Sequence, residues 1–220
     1  MFCCYNLLNY SMQRSLFFIF SFILLSCAPA TQVATQPRVI TVNATSAAEP
    51  WLTELFACAN QQSTVLNIST NNPEIYLRVG EPGDLVLPAY QVDEEEILIV
   101  THRESPVQNL SLEEAQALFA GQGDPSVQVW VYASDVDVQI LFDQLVMKGR
   151  GVTSYARLAF SPQEMSDVLN AESNSVGILP ARWKMGNVRE IYSAGRTPVL
   201  AVTNVEAAGE IKNLITCLSN

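Results

Sequence analysis

Two short polar segments carry the residue types that bind small ligands at the start of a helix. Thr45 and Ser46 follow a β-branched run and precede a helical pattern, and Ser134, Asp135 and Asp137 precede another such pattern. Backbone N–H groups at a helix N-terminus attract anions, and hydroxyl side chains add further donors. The first segment therefore predicts an anion contact through Thr45 and Ser46.

Each of these segments has a second interpretation. Ser46 and Glu49 have the spacing of a capping box, in which the hydroxyl serves only its own helix. Asp135 and Asp137 repel an anion, because one like-charge contact at 4 Å costs about 4 kcal/mol at an effective dielectric of 20. The segment that Ser134 begins is therefore either purely structural or suited to a cationic or neutral polar ligand.

Composition excludes several other classes of function. The net charge of −10 argues against nucleic acid as a partner, because phosphate binding needs clustered Lys and Arg. A single histidine, His102, excludes a multi-histidine metal site and has no Ser or Cys partner in a nucleophile motif. No glycine-rich phosphate loop is present. The sequence thus predicts no enzyme activity, no cofactor and no metal.

The first 26 residues have the layout of a secretory signal peptide. Arg14 precedes an almost continuous apolar run over residues 16–25, which is too short to cross a bilayer, since a crossing takes about 20 residues. Translation starts at Met1 or at Met12. We expect residues 1–26 to be removed on export.

The apolar run ends in Leu24-Leu25-Ser26-Cys27, which resembles a bacterial lipobox. Lipidation of Cys27 by palmitate-type chains would anchor the protein to the outer face of the cell membrane, at about 0.8 kcal/mol per buried CH₂. The alternatives are an ordinary signal peptide with a chance cysteine, or an uncleaved anchor. Residues 27–37 contain no charge and read as a flexible tether.

Strand and helix patterns alternate through the rest of the chain, which predicts an α/β fold with a largely parallel sheet. Capping boxes predict helix starts at Ser46, Ser111 and Ser161, and Ser134 is expected to cap a helix that ends near Lys148. The strand-like runs are 38–43, 65–69, 75–79, 97–101, 127–132, 176–179 and 199–203.

Residues 97–122, ILIVTHRESPVQNLSLEEAQALFAGQ, resemble a signature of the phosphate-type periplasmic substrate-binding proteins. In that signature a buried strand is followed by a proline turn, by the pattern Asn-Leu-Ser-Leu-Glu-Glu, and by a helix that ends in Phe-x-Gly. Residues 39–60 are similar to the first strand, ligand loop and helix of the family. Residues 175–178 are similar to one of its later strands.

The resemblance implies a type II periplasmic-binding-protein-like fold, with two lobes of mixed sheet flanked by helices. Lobe 1 would span about residues 38–103 and 187–220, and lobe 2 about residues 104–186. Such a monomeric protein closes its lobes around a small solute, such as an oxyanion, and presents the solute to an ABC permease in the membrane. The resemblance implies ligand contacts at Thr45, Ser46, Arg78, Ser134 and Asp135.

The ligand motifs depart from the family pattern at two places. Ala44-Thr45-Ser46 stands where the family has Gly-Ser-Thr, and residues 135–139 stand where it has Gly-Ser-Gly-Thr-Arg. The second loop has lost its glycines, its hydroxyls and its arginine. The sequence still predicts an extracytoplasmic solute-binding lipoprotein of an ABC-type import system, and these changes support one alternative, a degenerate sensor or interaction module that does not transport a solute.

Cys58 and Cys217 are the cysteines that remain after Cys27. In an extracytoplasmic compartment they suggest one disulfide, whereas two separate buried thiols are the alternative. In the resembled family the C-terminal helix returns to the first lobe. That return would bring Cys217 towards Cys58 and favours the disulfide.

Overall fold

The computed structural model describes residues 38–219. The predicted signal peptide, the lipidation at Cys27 and the whole tether over residues 27–37 lie outside the described residues. Within the described range, none of the helices combines the length and the apolar character needed to cross a membrane.

The described part of the chain contains eight strands and five α-helices, together with 3₁₀ turns at Ser46–Ala48 and Ala181–Trp183 and a π-helical segment, Asp143–Met147, directly after the third α-helix. The strands are β1 Val39–Ala44, β2 Val65–Ile68, β3 Ile75–Val79, β4 Ala89–His102, β5 Gln128–Tyr132, β6 Arg157–Ala159, β7 Ser175–Pro180 and β8 Val188–Thr203. The helices are α1 Glu49–Gln61, α2 Leu112–Phe119, α3 Asp137–Phe142, α4 Pro162–Ala171 and α5 Gly209–Leu218.

The strands form one eight-stranded sheet in the order β2-β1-β3-β8-β4-β7-β5-β6. Pairs on the two outer sides are parallel, whereas β8 pairs antiparallel with both β3 and β4, and β4 pairs antiparallel with β7. The α/β class is confirmed. The expectation of a largely parallel sheet was wrong, because two long antiparallel strands run through its centre.

The central strands β4 and β8 form a long ribbon with the rest of the sheet attached at its two ends. β3 joins β8 at Val199–Thr203, while β7 joins β4 at Ile97–Thr101. Because the strands are antiparallel, these attachments lie at opposite ends of the ribbon. The pairs Glu94–Pro198, Glu95–Thr197 and Glu96–Arg196 lie between them. We call this middle section the waist.

Both ribbon strands are longer than their sequence patterns indicated. The sequence predicted a strand over residues 97–101, whereas β4 extends from Ala89 to His102. The predicted strand at residues 199–203 is the end of β8, which begins at Val188. The first half of β4 was not predicted because it contains the acidic run Glu94–Glu96, and consecutive charges are typical of solvated loops. Here Glu95 faces the interior, while Glu94 is exposed. The predicted lobe bounds remain a prediction.

Three of the four predicted helix starts differ from the structure in some respect. The capping box of Ser111 and Glu114 is confirmed in full. Ser161 accepts a hydrogen bond from the Glu164 amide, but the Glu164 carboxylate accepts from the Phe160 amide, so only half of that box forms. Ser46 and Ser134 do not cap their helices, so the capping role predicted for these two serines was wrong.

A disulfide joins Cys58 on α1 to Cys217 on α5, with a Cα–Cα distance of 6.0 Å. The two helices pack against each other beside it. The bridge spans 159 residues of sequence, so it links the beginning and the end of the described chain. A closed loop of this length restricts the unfolded chain strongly.

We predict that the double variant Cys58→Ser/Cys217→Ser loses about 2–5 kcal/mol of unfolding free energy, because the unfolded chain regains its loop entropy. Urea unfolding measures this loss. Dithiothreitol should lower the stability of the wild type to that of the variant and leave the variant unchanged. Equal stability of the two oxidised proteins would contradict the prediction.

Candidate functional site

The loop after β1 places Thr45 at the start of the first helical segment. Thr45 is extended, and its backbone N–H donates to the carbonyl of Leu77 on β3, at 2.9 Å. A 3₁₀ turn over Ser46–Ala48 follows and leads into α1. The loop is therefore tied to β3, and Thr45 lies where β1 and β3 both end.

The expected capping box of Ser46 and Glu49 was wrong. The residue before α1 is Ala48, which has no capping side chain, and Pro50 lies in the first turn of the helix. The extra 3₁₀ turn moves Ser46 one turn away from the start of α1. Ser46 remains a predicted ligand contact, but it does not serve α1.

The carboxylate of Asp137 is the central group of this site. Asp137 is the first residue of α3, on the β5–β7 side of the sheet, and only 5% of it is exposed. Its Oδ2 accepts from the Thr45 hydroxyl at 2.6 Å and from the backbone N–H of Val79 at 3.2 Å. The N–H of Val138 donates to Oδ1 at 3.0 Å. One buried carboxylate thus joins the ends of β1 and β3 to the start of α3.

These contacts are the ones that a bound oxyanion would receive. A hydroxyl and a backbone amide point to a negative oxygen beside a helix N-terminus, where the helix dipole adds a favourable potential. In this protein the negative oxygen belongs to the chain itself. The site can stabilise one anionic group, and Asp137 supplies that group.

Two tyrosines close to Asp137 respond to its charge. Burial raises the pKa of Tyr132 well above its ordinary value, and the negative charge of Asp137 raises it further. Burial also raises the pKa of Tyr76, with Arg78 acting in the opposite direction and Asp137 in the same direction. Both phenols therefore stay protonated beside the carboxylate, and Tyr132 donates to the carbonyl of Ile178 at 2.8 Å.

The packing around Asp137 leaves little space between the two sides of the sheet. Gly80 follows Val79 with a φ of +78°, and a Cβ placed there would lie 2.7 Å from Cδ2 of Leu141. Leu141 is four residues after Asp137 and shares its face of α3. Glycine is thus required both by the backbone turn and by the close approach of α3.

Two further contacts connect α1 and its preceding turn to the segment after β7. The indole N–H of Trp183 donates to the carbonyl of Ala47 at 3.0 Å. Arg182 pairs with Asp93 at 2.7 Å and with Glu54, and its guanidinium lies 4.3 Å from the ring centre of Trp51. Exposed ion pairs contribute little. Of the contacts between the two sides of the sheet, the buried hydrogen bonds of Asp137 are therefore expected to contribute more than these ion pairs.

Among the described residues, the other predicted contacts make no hydrogen bond to this carboxylate. Ser134 and Asp135 are exposed, and the N-cap of α3 is Val136, without a capping side chain. Instead, the side-chain oxygen of Gln139 accepts a hydrogen bond from the backbone N–H of Tyr132 at 3.0 Å, which ties the end of β5 to α3. Arg78 donates through Nε to the carbonyl of Gly80 at 3.0 Å and braces that turn.

The sequence places Asp137 at this helix start, but the residues predicted there as ligand contacts were its neighbours Ser134 and Asp135. The signal that could have identified Asp137 is its spacing from Leu141, since a residue four positions before a buried leucine faces the core. The contact of Trp183 with Ala47 had no signal in the sequence, because it joins residues 136 apart.

Solved structures of other proteins share this fold. No protein-family model and no curated protein sequence matches the chain. An ABC-type phosphate transport receptor from Vibrio cholerae is 17% identical, with 82% of this chain and 93% of that chain covered and a TM-score of 0.63. A putative phosphate ABC transporter substrate-binding protein with bound phosphate, from Clostridium perfringens, is 15% identical with the same coverages and a TM-score of 0.73.

A variant of the OxyR2 regulatory domain from Vibrio vulnificus also matches, at 11% identity and a TM-score of 0.62, with 84% of this chain and 98% of that domain covered. The predicted two-lobe, periplasmic-binding-protein-like fold is therefore confirmed. At these identities the likeness concerns the fold alone.

We predict that Asp137→Ala lowers the unfolding free energy by about 1–3 kcal/mol, because it leaves the buried Val79 N–H and the half-buried Thr45 hydroxyl without an acceptor. Chemical denaturation measures the change. The matched control is Asp135→Ala, an exposed acid two residues away, which should change stability by less than about 0.5 kcal/mol. Equal effects of the two variants would contradict the assigned role of Asp137.

Proposed function

We propose that the chain is a lipid-anchored, extracytoplasmic protein of the substrate-binding fold that stays closed without a solute and acts as a sensor or interaction module. The observation that carries this proposal is the buried Asp137 carboxylate, held by Thr45 and by the Val79 amide. The predicted leader and Cys27 support its location on the outer face of the cell membrane.

An internal carboxylate is a strong competitor for an oxyanion. Asp137 is covalently attached, so its effective concentration at the site exceeds that of a free ion and is at least in the millimolar range. A phosphate that entered beside it would meet a like charge, which costs about 4 kcal/mol at 4 Å and an effective dielectric of 20. Capture of phosphate by the closed protein is therefore disfavoured.

The closed state is also supported by contacts that need no ligand. Trp183 connects the segment after β7 to the turn before α1, Arg182 connects it to α1 itself, and Leu141 packs against Gly80. In a solute receptor the solute stabilises closure by binding both lobes. In this chain side chains of the protein take that role, so we propose that it works through protein contacts made by the closed form.

A second candidate is the solute-binding component of an ABC-type import system that delivers its solute to a membrane permease. The likeness of the fold to an ABC-type phosphate transport receptor and to a putative phosphate ABC transporter substrate-binding protein favours it. The lobes would have to open, and the solute would contact Thr45, Ser46 and Arg78 on one side and Ser134 and Asp135 on the other. Because Asp137 remains in the crevice, a cationic or neutral polar solute suits this candidate better than an oxyanion. Neither candidate includes a covalent step.

A thermal-unfolding screen separates the two candidates. We expect the wild type to show no stabilisation by phosphate, sulfate, sugars or amino acids, whereas a ligand at 100 times its Kd would add about 2.7 kcal/mol. Asp137→Ser removes the internal carboxylate, and we expect this variant to gain stabilisation by phosphate. Asp135→Ser is the matched control and should gain none.

Stabilisation of the wild type by any of these solutes would overturn the closed-module proposal in favour of solute capture. If neither the wild type nor Asp137→Ser responds to phosphate, Asp137 does not occupy an anion site, and the closed state does not depend on an internal substitute for a bound anion.

A further inference from the structure

Glu95, at the centre of the waist, carries a buried carboxyl group of which one half has no partner. Only 3% of the residue is exposed. Its Oε1 accepts from the backbone N–H groups of Glu96 at 2.9 Å and Ala181 at 3.0 Å, whereas its Oε2 is buried and makes no hydrogen bond. Among residues 38–219, no other buried side-chain oxygen or nitrogen lacks a partner.

This half-satisfied carboxyl group is more costly when it is ionised than when it is protonated. A carboxylate has about four acceptor sites, and this one uses two of them. A charge that is buried without a partner loses more free energy than a neutral group does. Burial accordingly raises the pKa of Glu95, although the neighbouring backbone N–H groups and the charge of Arg182 act in the opposite direction. The folded chain therefore favours a proton on this side chain.

The same carboxyl group holds the start of the 3₁₀ turn Ala181–Trp183, because its Oε1 accepts from the first N–H of that turn. The turn carries two of the contacts that support closure. Arg182 pairs with Glu54 on α1, and the indole of Trp183 donates to the loop before α1. Glu95 is thus a positioning residue for the turn, and a change at its carboxyl group reaches both contacts.

Arg182 is the described charged side chain whose charge acts on that of Glu95. Asp93, two residues earlier on β4, is paired with this arginine at 2.7 Å. On β8 the residue opposite Glu95 is Thr197, which carries no charge. Helix α5 also packs against β4, and its charged residues are exposed, namely Glu210 and Lys212. The surroundings therefore offer Glu95 one cation, which Asp93 already shares.

We infer that Glu95 makes the closed state respond to pH: a proton on Oε2 favours the closed form, and its loss to solvent favours a form in which water reaches Oε2 and the Ala181–Trp183 turn loosens from α1. This inference rests on the closed module proposed above, and it names the proton as the signal that such a module senses. A protein anchored on the outer face of the cell membrane meets the pH of its surroundings directly.

The direction of the effect follows from the raised pKa. Below the ordinary glutamate value of 4.5 the side chain is protonated whether or not it is buried, so the closed form keeps its full stability. As the pH rises through the pKa of the buried group, the carboxylate forms inside the fold, and part of that stability is lost. A chain that cannot ionise at this position escapes the loss.

Urea unfolding of the full chain between about pH 4.5 and about pH 8 tests this inference. Glu95→Gln keeps the shape of the side chain and cannot ionise. We expect its unfolding midpoint to exceed that of the wild type at the upper pH, and the difference to shrink as the pH falls. Glu94→Gln is the matched control, because it removes the neighbouring exposed carboxylate, and it should show no such pH-dependent difference. Parallel pH profiles of the wild type and Glu95→Gln would overturn the inference.

Acrylamide quenching of tryptophan fluorescence separates control of the turn from the presence of a buried acid. Trp183 belongs to the turn, and the ring centre of Trp51 lies 4.3 Å from the guanidinium of Arg182. Quenching should increase with pH in the wild type and stay constant in Glu95→Gln. A pH-dependent midpoint without a change in quenching would overturn the coupling between Glu95 and the turn.

A measurement on the wild type decides the question even if Glu95→Gln does not fold. By ¹³C NMR, the carboxyl group of Glu95 should titrate at a higher pH than that of the exposed Glu94, and titration at the same or a lower pH would overturn the inference. The phosphate response of Asp137→Ser does not involve Glu95. Stabilisation of the wild type by phosphate would defeat the closed module alone, whereas parallel pH profiles would defeat this inference alone.

Discussion

A buried carboxylate is stable only where hydrogen-bond donors surround it, and in this protein the donors to Asp137 come from both sides of the sheet. Thr45 and Val79 lie at the ends of β1 and β3, and Val138 lies on α3. Separation of these elements would leave three polar groups to be solvated again. The interaction therefore links the ends of β1 and β3 to α3, beside the close approach of Leu141 to Gly80, and it is the basis of the closed state that we propose.

The sheet explains why such a contact can form between distant parts of the chain. The two outer groups of strands are attached at opposite ends of the β4–β8 ribbon, so each group carries its own helix starts while the ribbon connects them. The waist is the section of the ribbon between the attachments. It combines the acidic run with the one buried carboxylate oxygen that lacks a partner within the described part of the chain.

The sequence predicted the fold class and the helix start at Ser111, because hydrophobic alternation and capping boxes are local patterns. Local patterns failed where tertiary contacts decide. Glu95 lies in a strand because β8 pairs with it, and the side chain of Gln139, rather than that of Ser134, accepts a hydrogen bond from the loop before α3. The hydrogen bond from Thr45 to Asp137 spans 92 residues, and no spacing rule predicts a contact of that range.

A double-mutant cycle between Thr45 and Asp137 tests the central claim most directly. Unfolding free energies of Thr45→Val, Asp137→Ala and the double variant give the coupling between the hydroxyl and the carboxylate. The account predicts a coupling of about 1 kcal/mol or more in favour of the pair. Additive effects, within about 0.5 kcal/mol, would show that the two groups do not hold the protein closed.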